Sequence, residues 1–180
     1  MKTKIFILSL VPTGIFILDQ WTKKLVMKSI PLGGSRPIIP GIFDIIHTHN
    51  KGAAFGFMSE MSESVRLPFF YLMSTVALVA VLLYFFRLKD SRKGVFCALA
   101  LILGGAAGNI FDRIQMGEVV DFLSFHWYDT SMNGSLLGYK LHLRLEWPAF
   151  NIADASISVA VILLMFFMLT ENKISRGPAS

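Results

Sequence analysis

Four long apolar runs set the pattern of this chain. The first covers Ile5 to Leu18 behind Lys2 and Lys4, and it resumes through Leu25, Val26 and Met27. The second runs from about Leu67 to Phe86. The third starts near Gly94, stays apolar to Ile110 and keeps helical spacing to Arg113. The fourth runs from about Phe150 to Leu169. Each approaches the ~20 residues that cross a ~30 Å hydrocarbon layer as a helix. The opening has the look of a secretory signal, yet no small-residue cleavage site follows it. Instead Asp19-Gln20-Trp21-Thr22-Lys23-Lys24 continues at helical spacing, so an uncleaved first span is expected. The expected fold class is an all-α integral membrane protein with four transmembrane helices, at about 5–27, 67–86, 94–113 and 150–169.

Between the spans the period changes. In the connection 28–66, Pro31, Gly33, Gly34, Pro37, Pro40 and Gly41 exclude a long helix. Ile42 to Thr48 is rich in β-formers, Asn50-Lys51-Gly52 reads as a turn, and Ala53 to Met58 is a candidate returning strand. In the connection 114–148, aromatic Phe122 to Tyr128 leads to a turn at Met132-Asn133-Gly134. Tyr139 to Trp147 then alternates Leu141, Leu143 and Leu145 with Lys140, His142, Arg144 and Glu146, the pattern of a half-buried strand. Trp127, Tyr128, Tyr139 and Trp147 fall where amphipathic rings anchor at headgroup level. A small extracytoplasmic β element lying on the membrane follows from this. The residues after Asn172 read as a frayed tail.

Composition narrows the class. With 180 residues the chain is expected to form a single membrane-embedded domain over 1–180. A hydrophobic fraction of 54% against 16% charged residues excludes an ordinary soluble protein. The net charge of +5 does not point to nucleic acid, because the basic residues are scattered among the spans. Loops bordering anionic lipid account for them. Lys2 and Lys4, then Arg87, Lys89, Arg92 and Lys93, then Lys173 and Arg176 fall on one side in short segments. Both termini are therefore expected in the cytoplasm, with the two long connections outside. Cys97, the single cysteine, lies in an apolar run and reads as an inert thiol.

Polar residues collect at the outer ends of the spans. Asp19 and Lys23 stand four apart and can pair along one helix face. On the third span Gly105, Asn109 and Arg113 repeat every four residues, beside a row of Gly104, Gly108 and Asp112. Glycine rows let a second helix backbone come close, and Asn109 and Arg113 are expected to share one crevice. On the fourth span Asn151 and Asp154 are three apart, with Ala153, Ala155 and Ser156 narrowing the surroundings. Asp121 lies just beyond the third span. Ionisable groups at the edge of a span mark function by default. Two carboxylates from different elements at one depth can share a proton. One then serves as general base on a water and the other as general acid. Asp121 and Asp154 are the candidates for this aspartic-protease chemistry, which needs neither metal nor cofactor. The plain alternative has Asp121 capping a loop and Asp154 pairing with Arg113 to hold the bundle.

Five segments, taken in order, resemble the bacterial lipoprotein signal peptidases, or type II signal peptidases. They are Asp19-Gln20-Trp21-Thr22-Lys23, Asn50-Lys51-Gly52-Ala53-Ala54-Phe55, the stretch from Gly104 to Arg113 (GGAAGNIFDR), Val119-Val120-Asp121-Phe122, and Phe150-Asn151-Ile152-Ala153-Asp154. The ordered set spans nearly the whole chain. The resemblance implies that Asp121 and Asp154 are the catalytic pair. It further implies that Asn109, Asp112, Arg113 and Asn151 shape the site beside Gly108, that Asn50 and Gly52 contribute from the outer connection, and that Asp19 and Lys23 support it. The implied substrates are prolipoproteins, cut on the amino side of a cysteine that already carries diacylglycerol. A monomer in the bacterial inner membrane, in contact with lipid and without nucleic acid, is expected. The segment Ser124 to Pro148 departs from the family in being longer, reading as a hairpin where a shorter covering element is usual.

Rival chemistries have less behind them. His47 and His49 alternate on one side of a strand, but without a nearby cysteine, and with His126 and His142 distant in sequence, they read as surface histidines. A Ser-Lys peptidase built on Ser156 or Ser158 lacks a lysine in the fourth span. A proton pathway through Asp19, Asp112, Asp121 and Asp154 would spread carboxylates through the membrane's depth, whereas these crowd at one face. A non-catalytic scaffold leaves the crowding unexplained.

Overall fold

A glycine-rich helix at the end of an apolar run is the element on which the helices are hung. In the computed structural model, which describes residues 2–52, 58, 60–88, 92–136 and 139–175, that helix is the most enclosed of four. The chain runs α1 (Lys2–Ser29), β1 (Ser35–Ile39), β2 (Phe43–Asn50), α2 (Glu63–Arg87), α3 (Lys93–Met116), β3 (Val119–Leu136), β4 (Tyr139–Glu146) and α4 (Ile152–Ser175). All four helices are long and apolar enough to cross a membrane. The chain divides into a helical unit, Met1–Trp21 with Met61–Gly117 and Ile152–Ser180, and a sheet-bearing unit, Thr22–Glu60 with Glu118–Asn151.

In the helical unit, 56% of the apolar window of α3 is buried, against 11–17% for the other helices. The glycine rows explain how α3 accepts neighbours so closely. A Cβ at Gly104 would lie 2.9 Å from the Pro12 Cα of α1, and one at Gly105 would lie 2.5 Å from the Ala153 carbonyl oxygen and Ser156 Oγ of α4. Toward the other end of the helix, Phe85, Leu88, Val95, Phe96 and Leu99 form a buried cluster. There the Lys4 ammonium donates to the Leu88 carbonyl and lies 4.9 Å from the Phe96 ring centre. Leu72, Ile162 and Phe166 are exposed on α2 and α4. Such outward apolar side chains are what a hydrocarbon solvent requires. α3 runs past the expected end near Arg113 to Met116. It stops where Gly117 takes φ +74° and its N–H bonds the Arg113 carbonyl, a left-handed cap for which glycine is suited.

In the sheet unit the strands lie in the order β1-β2-β3-β4, each pair antiparallel. β3 serves two neighbours: Val119 to Phe125 pairs with β2, and His126 to Leu136 with β4. The expected turn at Met132-Asn133-Gly134 is instead strand, because those residues pair with Leu143, His142 and Leu141 and the ladder continues to Leu136 opposite Tyr139. β1 was not expected from the sequence. Pro37 cannot donate to a ladder, but as an edge strand β1 tolerates it. Of the candidate strand Ala53 to Met58, only Met58 is described, and it is a turn residue at φ +64°. α4 runs on to Ser175, where a frayed tail is expected after Asn172. Residues 176–180 lie outside the described residues, as do the side chains of Tyr128, Tyr139 and His142. Trp127 and Trp147 are exposed, as headgroup anchors would be. β2 bulges between Ile45 and Thr48, which span three residues against two on β3.

The glycine contacts make a direct test. Gly105→Ala should lower the thermal stability of the detergent-solubilised protein by about 1–3 kcal/mol through overpacking. Gly14→Ala, whose added methyl meets nothing within 4 Å, should leave the unfolding temperature unchanged or slightly higher.

Candidate active site

The polar residues predicted for the site fall into two sets, one in each unit. In the helical unit the two rows on α3 serve two different neighbours. Along one row, Gly105 admits α4 and Asn109, a turn later, donates from Nδ2 to Asp154 Oδ1 at 2.7 Å. Along the other, Gly104 and Gly108 admit α1. A Cβ at Gly108 would lie 2.5 Å from Asp19 Oδ2, so glycine is the residue that leaves room for that carboxylate. Asp112 completes the row and accepts from Gln20 Nε2 at 2.7 Å.

Asp19 is fully buried, and its Oδ1 accepts the Ala153 N–H at 3.0 Å in the first turn of α4. The first N–H groups of a helix have no partner within it, and the dipole there favours negative charge, so this aspartate caps α4 from a separate helix. Gln20 Nε2 also reaches Asp19 Oδ2 at 3.2 Å and the Gly108 carbonyl at 3.4 Å. Gln20 stands in the Asp19-Gln20-Trp21-Thr22-Lys23 segment with no role evident from sequence. Its amide bridges Asp19 and Asp112, and the signal was its place beside Asp19 in a span otherwise rich in apolar residues. Arg113 does not simply continue the Asn109 row. Its guanidinium lies 4.6 Å from the Phe70 ring centre, and its carbonyl accepts the Tyr71 hydroxyl at 2.9 Å, both residues on α2.

In the sheet unit the centre is Asp121 on β3, 2% exposed. Its Oδ1 accepts from Asn151 Nδ2 at 2.8 Å and its Oδ2 from Asn50 Nδ2 at 3.0 Å. Both amides are oriented by the backbone. Asn50 Oδ1 accepts the Gly52 N–H at 2.9 Å, which makes the predicted Asn50-Lys51-Gly52 turn an Asx turn and leaves Nδ2 to face the aspartate. Asn151 Nδ2 also donates to the Val120 carbonyl at 3.2 Å. Asn151 is held beside β3 because Phe150 exchanges backbone hydrogen bonds with Leu123 at 2.8 and 3.1 Å. Thr48 stands opposite Asp121 across the ladder. Lys23, on the part of α1 that belongs to this unit, is 1% exposed. A buried carboxylate with fixed donors is held in one orientation, and such networks specify one geometry.

The family description "Signal peptidase (SPase) II" matches residues 11–170. The chain belongs to the signal peptidase II family. Among similar proteins, the lipoprotein signal peptidase of Geobacter sulfurreducens is 40% identical over 173 residues, covering 96% of this chain and 98% of that one. That of Geobacillus kaustophilus is 38% identical over 166 residues, covering 91% and 95%. A bacterial membrane enzyme solved by the in meso method at 2.3 Å superposes with a TM-score of 0.73 at 29% identity, covering 100% of this chain and 95% of that one. Family membership makes the chain a protease, and its four apolar helices make it a multi-pass protein of the bacterial inner membrane.

The cap supplied by Asp19 carries its own test. Asp19→Ala should destabilise this signal peptidase II family member by about 1–2 kcal/mol, as loss of a helix N-terminal partner does. Asp19→Asn, which keeps an acceptor for the Ala153 N–H, should cost less. Thermal unfolding in detergent reads both.

Proposed function

We propose that this protein is an aspartic endopeptidase that removes the signal peptide from diacylglyceryl-modified prolipoproteins, cutting on the amino side of the lipidated cysteine. The substrate class follows the lipoprotein signal peptidases it is similar to. Asp121 and Asp154 are the catalytic pair. The observation that carries this reading is the way each carboxylate is held: Asp121 is buried and takes an asparagine amide on each oxygen, and Asp154 takes the Asn109 amide. Amide donors orient a carboxylate without adding formal charge beside it.

In the proposed cycle the pair holds one proton. The ionised aspartate takes a proton from a water, whose oxygen attacks the scissile carbonyl, while the protonated aspartate hydrogen-bonds the carbonyl oxygen. Collapse of the tetrahedral intermediate breaks the C–N bond, and a proton passes to the leaving amine. The lipid on the substrate's cysteine would fix the scissile bond at one membrane depth, replacing a search by a bound geometry. Asp112, Arg113, Gly52, Lys23 and Asp19 shape the surroundings, and the whole chain acts as one peptidase domain, as a monomer. Both termini are cytoplasmic, with the site near the extracytoplasmic face. The short basic segments support that orientation.

Asp121→Asn and Asp154→Asn should each abolish cleavage of a diacylated prolipoprotein, followed as a gel shift, while the protein still inserts and unfolds cooperatively. Full turnover by either purified variant would end the dyad. Proton flux in liposomes without peptide cleavage would favour a transporter instead.

A further inference from the structure

Away from the aspartates, the sheet unit holds a pair of imidazoles whose outer hydrogen bonds turn the same nitrogen of each ring toward the other. His47 on β2 is buried rather than on the surface, and His49, two residues on, is about one-quarter exposed. The bulge in β2 lies between Ile45 and Thr48, beside this pair. His47 Nδ1 lies 2.8 Å from the Ile30 carbonyl oxygen. A carbonyl only accepts, so Nδ1 carries the hydrogen and Nε2 presents a lone pair. His49 Nδ1 lies 3.1 Å from Glu118 Oε2. An ionised carboxylate only accepts too, so His49 has the same tautomer. The two Nε2 atoms are 3.2 Å apart, and as neutral rings they would aim lone pairs at each other. Either a shared proton or a metal cation satisfies both nitrogens at this separation.

We propose that His47 and His49 form a two-imidazole binding site for a divalent transition cation of the zinc class. Zinc–nitrogen bonds of about 2.0–2.1 Å at the tetrahedral angle place two ligand nitrogens about 3.3 Å apart, close to the separation here. The outer hydrogen bonds also fit. Metal-binding histidines characteristically donate their second ring N–H to a carboxylate or a backbone carbonyl, which fixes tautomer and ring direction. Glu118 and Ile30 supply one of each. No third His, Cys, Asp or Glu joins the pair among the described residues, so water fills the remaining positions. The other charged group at hand is Lys51, 59% exposed, whose Nζ lies 3.6 Å from Glu118 Oε1. A bound cation would tie β2 to the residue after α1 and to the start of β3, one residue before the Asn50 that holds Asp121. It would act on the proposed chemistry by positioning, not by touching substrate.

The test is a Zn²⁺ titration of the full-length protein in detergent, without substrate, followed by competition with a chromophoric chelator. The expected result is one equivalent bound, with at least about ten-fold weaker binding in His49→Gln and a loss of about 10–100-fold in Glu118→Gln. Asp121→Asn should bind as the wild type does, so failure of the peptidase reading and failure of this one are separable. His49 is part-exposed, so its variant carries the test even if His47→Gln does not fold. Equal binding by wild type and His49→Gln would overturn the proposal. So would an N–H···N proton between the rings, seen by ¹⁵N NMR, that excess Zn²⁺ leaves in place.

Discussion

The close approach of α3 to its neighbours is the constraint on which the helical unit depends. Lipid tails are as apolar as leucine, so helices in a bilayer gain little from burying apolar side chains on one another. They associate through close packing and interhelical hydrogen bonds. Gly104, Gly105 and Gly108 supply the first, and they make the second possible. Only where no Cβ intervenes can Asp19 sit against the Gly108 backbone and accept the Ala153 N–H. The same spacing brings Asn109 to Asp154 and Gln20 to Asp112. A polar cluster with few such partners would cost several kcal/mol in hydrocarbon; with them it becomes the specific glue of the bundle.

The sheet unit solves a related problem with different means. Asp121 is almost wholly removed from water, and the two amides that replace its hydration come from distant points of the chain. Each amide has a backbone partner of its own: the Gly52 N–H fixes Asn50, and the Val120 carbonyl fixes Asn151. The asparagines are therefore held before they hold the aspartate. Bridging backbone bonds at Phe150 keep Asn151 in register with β3. Positioning of this kind comes from turns and strand pairing, and it does not depend on a large core.

Much of this was legible in the sequence, for reasons that differ by residue. The spans were readable because hydropathy reports directly on the solvent around a helix. The glycine rows were readable because helical spacing assigns faces, although it did not say that the two rows meet α1 and α4 separately. Arg113 shows the limit: its position repeats with Asn109, yet its long side chain reaches Phe70 on α2. β1 was hidden by Pro37, a residue that argues against strand unless edge position is known. Asn-Gly is a strong local turn signal at 132–134, and cross-strand pairing with β4 overrides it. The sequence points to a surface His47, since nothing local foretells that the Ile30 carbonyl meets its ring.

The choice of asparagine at three positions around the two aspartates has a consequence for the proposed chemistry. A lysine or arginine donor in the same place would stabilise the ionised carboxylate and oppose its protonation. A general acid must carry a proton and a general base must lack one, and in a hydrolytic cycle each aspartate takes both states. An amide also favours the ionised carboxylate, but less than a full cation does, so it fixes direction at a smaller cost to protonation. Asn50, Asn109 and Asn151 thus suit the proposed role of the pair, passing one proton from water to amine. On the proposed reading, a cation in place of Asn109 would favour the ionised form of Asp154 and oppose the protonated state that the cycle also needs.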